Sequence, residues 1–354
     1  MIIENRAYAR VGLIGNPSDG YYGKTISACI RNFSAKVVLW ESPTLEIIPN
    51  LKHDPTHFHS LEQLVSTARR DGYYGGLRLL LAACKRFKDY CDERGVALPD
   101  RNFTVTYDTN IPRQVGLGGS SAIIVALFRC LMEFFEVRED FIGNPFLPNL
   151  VLSVERDELD ITAGLQDRVI QVYGGTVYMD FNQQLMERDG HGDYQRIDSA
   201  LLPPLFLAYA LPVAHPQLPT ESGKVHGALR YRYERGEPEV LKAMERWAML
   251  ADKAKRALEE PNHEKLGELM NANFDLRRKV LGDATIGSDN LRMIQIARDL
   301  GHPVKFSGSG GAVVGMYGNE EERQCLRDAY KAEGFRFCKV KVDRDGRLRG
   351  PRSG

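Results

Sequence analysis

The run at 112–122, Pro-Arg-Gln-Val-Gly-Leu-Gly-Gly-Ser-Ser-Ala, carries the densest chemistry-bearing pattern in the chain. It opens onto 123–135, where Ile123, Leu127, Leu131 and Phe134 recur at the spacing of a helix with one buried face. A glycine loop feeding a helix start leaves several backbone N–H groups unpaired, and the helix dipole adds partial positive charge there. Gly116, Leu117, Gly118, Gly119, Ser120, Ser121 and Ala122 are therefore candidates to cradle a polyphosphate, with a serine hydroxyl at hand for Mg²⁺. A tight strand-to-helix turn with capping serines uses the same residue types.

Three further clusters bear chemistry. Arg10 alternates with Val11 on a β-rich stretch, and Asn16 and Asp19 follow in the turn 15–20. The planar guanidinium can pair with phosphate or a carboxylate, and Asp19 can accept from sugar hydroxyls. A polar turn beside a surface arginine is the plainer reading. In 155–168, Asp167 lies off the helical face marked by Leu165, Val169 and Val172. A carboxylate beside bound ATP can take or align the proton of an attacking hydroxyl, and Glu155 offers oxygen to Mg²⁺. A solvated acidic helix explains the same charges. In 305–314, Gly308, Gly310 and Gly311 let backbone approach a ligand closely, as would a hairpin with glycines at its turn. His53, His57 and His59 include a His-x-His spacing, but Pro55 and the polar context put them on a surface loop rather than around a metal.

Common nucleotide fingerprints fail. Gly23-Lys24-Thr25 ends like a P-loop, yet Ser18 stands where its leading glycine belongs. The run from Gly308 begins like a dinucleotide loop, yet Val313 occupies the third glycine position. Protein-kinase catalytic motifs are missing. A nucleotide site must use another architecture, and the loop at 116–122 is its candidate.

The elements that must position these residues are readable. Strands are expected at 8–14, 35–40, 103–107 and 176–181. Helix dominates 61–94, interrupted at 71–76, and resumes at 165–172 before Gly174-Gly175. Beyond a proline-bracketed strand at 201–212 come helical patterns at 239–258, 264–280 and 289–300. A strand–glycine–strand signal at 305–317, a helix at 320–333 and a strand at 335–342 follow. The length of 354 residues implies two domains, 1–203 and 204–354, with α+β organisation. Lys+Arg and Asp+Glu both total 47, so no global field draws nucleic acid or a membrane surface. The basic end, including Arg349 and Arg352, reads as a solvated tail. Six scattered cysteines without a C-x-x-C pair fit free thiols in the cytoplasm, and no apolar run suits a signal peptide or a membrane span.

Taken in order, these clusters resemble the GHMP small-molecule kinase superfamily, which includes galactokinase, homoserine kinase and mevalonate kinase. The resemblance covers about Arg6 to Val314. Within the superfamily the chain is most similar to the glucuronokinase branch, through blocks at 6–19, 72–76, 107–114, 163–168, 222–226, 273–278 and 306–312. Asn16-Pro17 replaces the Glu-His of many neutral-sugar members, a departure that fits this branch. The resemblance implies a two-domain α+β fold, with an N-terminal ribosomal-protein-S5-like domain and a C-terminal ferredoxin-like domain. It implies ATP-dependent phosphorylation of the anomeric hydroxyl of D-glucuronate. The loop 116–122 would wrap the ATP phosphates, Ser121 and Glu155 would hold Mg²⁺, and Asp167 would be the catalytic carboxylate. Arg10 would keep Asp167 ionised and steady the phosphoryl group; Asn16, Asp19 and Gly310 would face the sugar. Arg113 is the first candidate for the uronate carboxylate, with Lys24, Lys224 and Arg277 behind it. Acceptors such as a heptose phosphate or a neutral hexose stay open. So does a non-catalytic sugar sensor, against which Asp167 and Arg10 argue.

Overall fold

In a computed structural model of the chain, residues 1–71, 75–211 and 222–344 are described, those at 69–71, 222–226 and 228 by their backbone alone. Residues 72–74 of the 72–76 block, the Lys224 side chain, and Arg349 and Arg352 of the basic end lie outside that description. Packing gathers the chain into two units that interleave in sequence. The first holds 1–9, 33–113 and 118–172; the second holds 10–32, 114–117 and 173–354. Two strands, β1 (Ile2–Ile14) and β2 (Lys24–Glu41), have residues in both.

In the first unit, β3 (Glu46–Ile47) lies parallel to β4 (Phe103–Thr109), which pairs antiparallel with residues 35–41 of β2. Ala35, Val37 and Leu39 are buried and their neighbours are not, the period-two pattern of a strand with one covered face. The unit's helices are α1 (Leu61–Asp71), α2 (Leu77–Glu93), α3 (Gly119–Phe134), α4 (Glu139–Ile142), α5 (Leu147–Ser153) and α6 (Leu165–Tyr173), the last ending at the unit's edge. The single buried face expected of α3 is corrected by the structure: every residue from Ser121 to Phe128 is buried. A helix that is apolar all round belongs inside a core. After α5 the chain makes a π-helical turn, Val154–Glu158, a form common where side chains are aimed for function.

In the second unit, residues 24–28 of β2 pair antiparallel with β5 (Thr176–Asp180), and α7 (Gln183–Asp189) leads to β6 (Asp193–Ile197) on the far side of β5. Then come β7 (Leu205–Tyr209), α8 (Ser222–Glu234), α9 (Pro238–Glu259), α10 (His263–Leu281), α11 (Asp283–Ile286) and α12 (Ser288–Asp299). The unit closes with β8 (Val304–Phe306), β9 (Ala312–Met316), α13 (Glu320–Ala332) and β10 (Arg336–Lys339). The order β10-β7-β9-β8, all antiparallel, is the split βαβ of a ferredoxin-like sheet. Its core centres on Phe206, Phe274, Met293, Phe306 and Tyr330. Among the described residues, no helix is long and apolar enough to cross a membrane.

Candidate active site

The first unit carries the carboxylates. The loop enters α3 through Gly118, the helix N-cap, whose φ is 75°. Gln171 on α6 holds this entry by donating from Nε2 to the Gly118 carbonyl at 2.7 Å and to the Tyr8 carbonyl at 3.1 Å. Ser120 Oγ donates to Glu155 Oε1 at 2.6 Å, whereas Ser121 is fully buried and bonds back to the Gly118 carbonyl at 3.2 Å. The hydroxyl that meets Glu155 is therefore that of Ser120, while Ser121, an expected ligand of Mg²⁺ together with Glu155, bonds to the loop's own backbone. A serine inside the first helical turn can satisfy itself on a preceding carbonyl.

Glu155 is 1% exposed, and its second oxygen accepts from the Arg168 guanidinium, which is buried as well. Arg168 also donates to the Gly164 carbonyl at 2.9 Å and lies 3.8 Å from Asp167 Oδ2. One arginine thus connects the two acids. Asp167 sits in the first turn of α6, partly open to solvent. Arg113 is half-buried. The donor set suits Mg²⁺: a hydroxyl and a carboxylate oxygen within 2.6 Å are hard ligands, and this ion takes one or two protein oxygens and completes its shell with phosphate and water. Among the described residues no larger group of metal-ligating side chains occurs.

The second unit carries the cations and the glycines. Arg10 donates from its backbone to the Leu117 carbonyl at 3.1 Å, and its guanidinium reaches the carbonyls of Gly116 and, at 3.5 Å, Ser307. Gly116 has φ 66°, and a Cβ there would stand 3.1 Å from both Ser309 N and Gly310 O. A Cβ on Gly308 would lie 2.5 Å from the Gly116 carbonyl, so the two stretches touch backbone to backbone only because both are glycine. Asn16 is buried; Lys305 Nζ donates to its Oδ1 at 2.7 Å, and its Nδ2 points to the Gly308 carbonyl at 3.5 Å. Asn273 on α10 clamps the same turn, accepting from Gly15 N at 2.7 Å and donating to the Asn16 carbonyl at 3.1 Å. Asp19 lies in the short 3₁₀ turn Ser18–Tyr21 and is partly exposed.

Two reserve candidates for a substrate carboxylate are occupied elsewhere. Lys24 is held between Asp180 at 3.2 Å and Asp252 at 3.1 Å. Arg277 donates from its terminal nitrogens to the carbonyls of Gly308 at 2.8 Å and Ser309 at 2.7 Å. Burial pushes the Arg277 guanidinium down to about 10, an effect that the charge of Asp19 opposes.

Sequence reasoning passed over Arg168, Asn273 and Lys305. Arg168 falls three residues after Leu165, on the apolar face of α6, where a charge must be paired. Lys305 lies between Val304 and Phe306 in a strand with all three residues buried, the same warning in another element. Lys305 Nζ donates to the carbonyls of Gly12 at 2.7 Å and Phe306 at 2.6 Å as well as to Asn16. Three acceptors match the three N–H bonds of an ammonium. Burial, then the charges of Arg277 and Arg10, push its pKa well below the ordinary 10.5. The folded chain therefore binds fewer protons than the unfolded one between that lowered value and 10.5, so this group's contribution to stability rises with pH across that window. Lys305→Met leaves buried acceptors unpaired and should cost at least about 1–3 kcal/mol. Urea titrations should show the gap between wild type and variant widening as pH climbs toward 10.5. A gap that narrows would contradict the assignment.

A backbone cradle at a helix start, an oxygen pair suited to Mg²⁺ and a half-open carboxylate are the parts of a small-molecule phosphotransferase. The family "GHMP kinases N terminal domain" matches residues 78–175, and "GHMP kinases C terminal" matches residues 254–335. The chain is 47% identical to Glucuronokinase 1 of Arabidopsis thaliana over 342 residues, 96% of this chain and 92% of that protein. It is 49% identical to Probable glucuronokinase 2 of the same plant over 314 residues, 88% and 84% of the two chains. The fold matches the mevalonate kinase of Methanococcus jannaschii with a TM-score of 0.67 at 21% identity, covering 97% of this chain and 98% of that one. The chain belongs to the GHMP kinase family and has its two-domain fold of mixed α and β elements.

Proposed function

We propose that the protein transfers the γ-phosphoryl group of ATP to the anomeric hydroxyl of D-glucuronate, giving D-glucuronate 1-phosphate and ADP. The observation that carries this reading is the 47% identity with a glucuronokinase across 96% of the chain. The backbone N–H groups of the loop 116–122 hold the ATP phosphates. Ser120 and Glu155 are the protein oxygens for Mg²⁺, which when bound neutralises charge on the phosphates. Asp167 accepts the proton of the anomeric hydroxyl as its oxygen bonds to the γ-phosphorus, and the electrons of the breaking bond leave with ADP. Arg10 faces the transferring phosphoryl group, Asn16 and Asp19 read sugar hydroxyls, and Arg113 meets the uronate carboxylate.

The proposed compartment is the cytoplasm. The cysteines are free thiols, and burial pushes Cys84 and Cys130 up to about 12, which keeps them unreactive. The test of the activity is direct. Purified protein given ATP, Mg²⁺ and glucuronate should yield a product whose phosphorus signal couples to the anomeric proton. If phosphate instead appears only on a neutral hexose or a heptose phosphate from a parallel panel, the assignment of the acceptor is wrong.

A further inference from the structure

The first turns of α9 and the last turns of α10 enclose a hollow of about 330 Å³, and none of its lining residues is among those assigned to phosphate, metal or sugar. Its floor is apolar: Ala243 and Val280 are buried and Leu276 is half-buried. Lys242 and Arg246 stand at its rim one turn apart on α9, and Lys279 joins them from α10; all three are exposed. Residues three and four apart on a helix share a face, so floor and rim alternate along one stripe of each helix. Small-molecule pockets span about 300–1,000 Å³ and combine an apolar lining with a few polar groups, which describes this hollow.

The rim cations have no acid of their own. None of the three has a carboxylate oxygen within 4 Å among the described residues. The acids nearby are committed: Glu239 at the rim faces Arg232 at 4.0 Å, Asp275 accepts from Arg298 at 2.7 Å, and Asp283 accepts from Arg278 at 2.6 Å. Glu245, on the same helix as Lys242, does not line the hollow. Like charges four residues apart repel and weaken a helix, yet Lys242 and Arg246 take that spacing, and Lys279 adds a third charge across the gap. Farther along α9, Lys255 has Glu259 at the same spacing. Glu237, the N-cap of α9, gives no side-chain cap, so the unpaired N–H groups of the first turn add to the positive field.

A phosphate monoester brings a charge of about −1.5 to −2 and three acceptor oxygens, one for each rim cation; a carboxylate brings less charge and fewer oxygens. A bare anion would leave the floor unused. We propose that the hollow between α9 and α10 binds a small organic phosphate, with its phosphate on Lys242, Arg246 and Lys279 and a flat apolar ring on Ala243, Leu276 and Val280. The site goes beyond the kinase reading and does not depend on it.

In ¹⁵N-labelled full-length protein, phenyl phosphate should move the amide signals of Ala243 and Val280 with an affinity at least tenfold above that of inorganic phosphate. Phenol at the same concentration should leave them still. No movement with phenyl phosphate removes the site, equal affinity for inorganic phosphate removes the ring from it, and movement with phenol removes the phosphate. AMP should behave like phenyl phosphate and glucose 1-phosphate like inorganic phosphate, because a sugar offers hydroxyls to an apolar floor; the reverse order would also overturn the ring. Lys242→Gln/Lys279→Gln changes two exposed side chains, so the protein should fold and turn over as wild type does while binding phenyl phosphate at least tenfold more weakly. Unchanged affinity in that folded variant would overturn the rim. Movement by phenyl phosphate in protein that never phosphorylates glucuronate would sink the kinase reading and keep this site.

Discussion

Asp167→Asn is expected to lower kcat by about 10²–10⁴-fold, the usual worth of a positioned general base. The substitution keeps the shape of the side chain at the first turn of α6 and leaves the Glu155–Arg168 pair in place. Asp167 is only 3.8 Å from Arg168 and partly open to solvent, so stability should change little. The KM for ATP should also hold, because the phosphates are assigned to backbone N–H groups at 116–122. A loss in kcat alone marks an interaction made only in the transition state. Steady-state measurement of ADP release settles the matter: a variant within tenfold of wild type would remove Asp167 from the chemistry. A loose phosphoryl-transfer transition state asks more for alignment of the attacking hydroxyl than for proton removal, so the loss should fall toward the lower end of that range.

Much of this arrangement was legible from residue types. The glycine–serine loop ahead of an apolar stretch located α3, and the strand–glycine–strand signal located β8 and β9. What escaped has physical causes. Residues 25–30 of β2 are buried without alternation because both faces are covered, so the period-two signal that marks 35–39 is absent there. In β6, Asp193 to Arg196 are not buried and only Ile197 is, too little apolar contrast to announce a strand. Which serine meets Glu155 was not legible, because a loop sequence states which hydroxyls are present, not which one the first helical turn bends back on itself. Arg168, Asn273 and Lys305 went unread for a common reason. Each supports a neighbour, and such roles depend on which elements meet rather than on spacing along one of them.

The second large effect concerns stability as much as activity. Glu155→Met should destabilise the protein by about 3–5 kcal/mol, because it takes its closest carboxylate from the buried Arg168 guanidinium. Arg168→Met should cost a similar amount by stranding the carboxylate. The double variant Glu155→Met/Arg168→Met removes both charges, and buried ion pairs replaced by apolar side chains of similar volume are often neutral in stability. Urea unfolding of the four proteins should therefore show strong coupling, with the double variant far more stable than the sum of the single losses. Its activity should not return with its stability, because Ser120 then lacks the carboxylate that shares its assigned cation. Recovery of Mg²⁺-dependent turnover in the double variant would show that Glu155 serves the fold alone. Persistent loss of turnover in a stable protein would separate the two duties proposed for this one carboxylate, which sits between a guanidinium that anchors it and a hydroxyl in the first turn of α3.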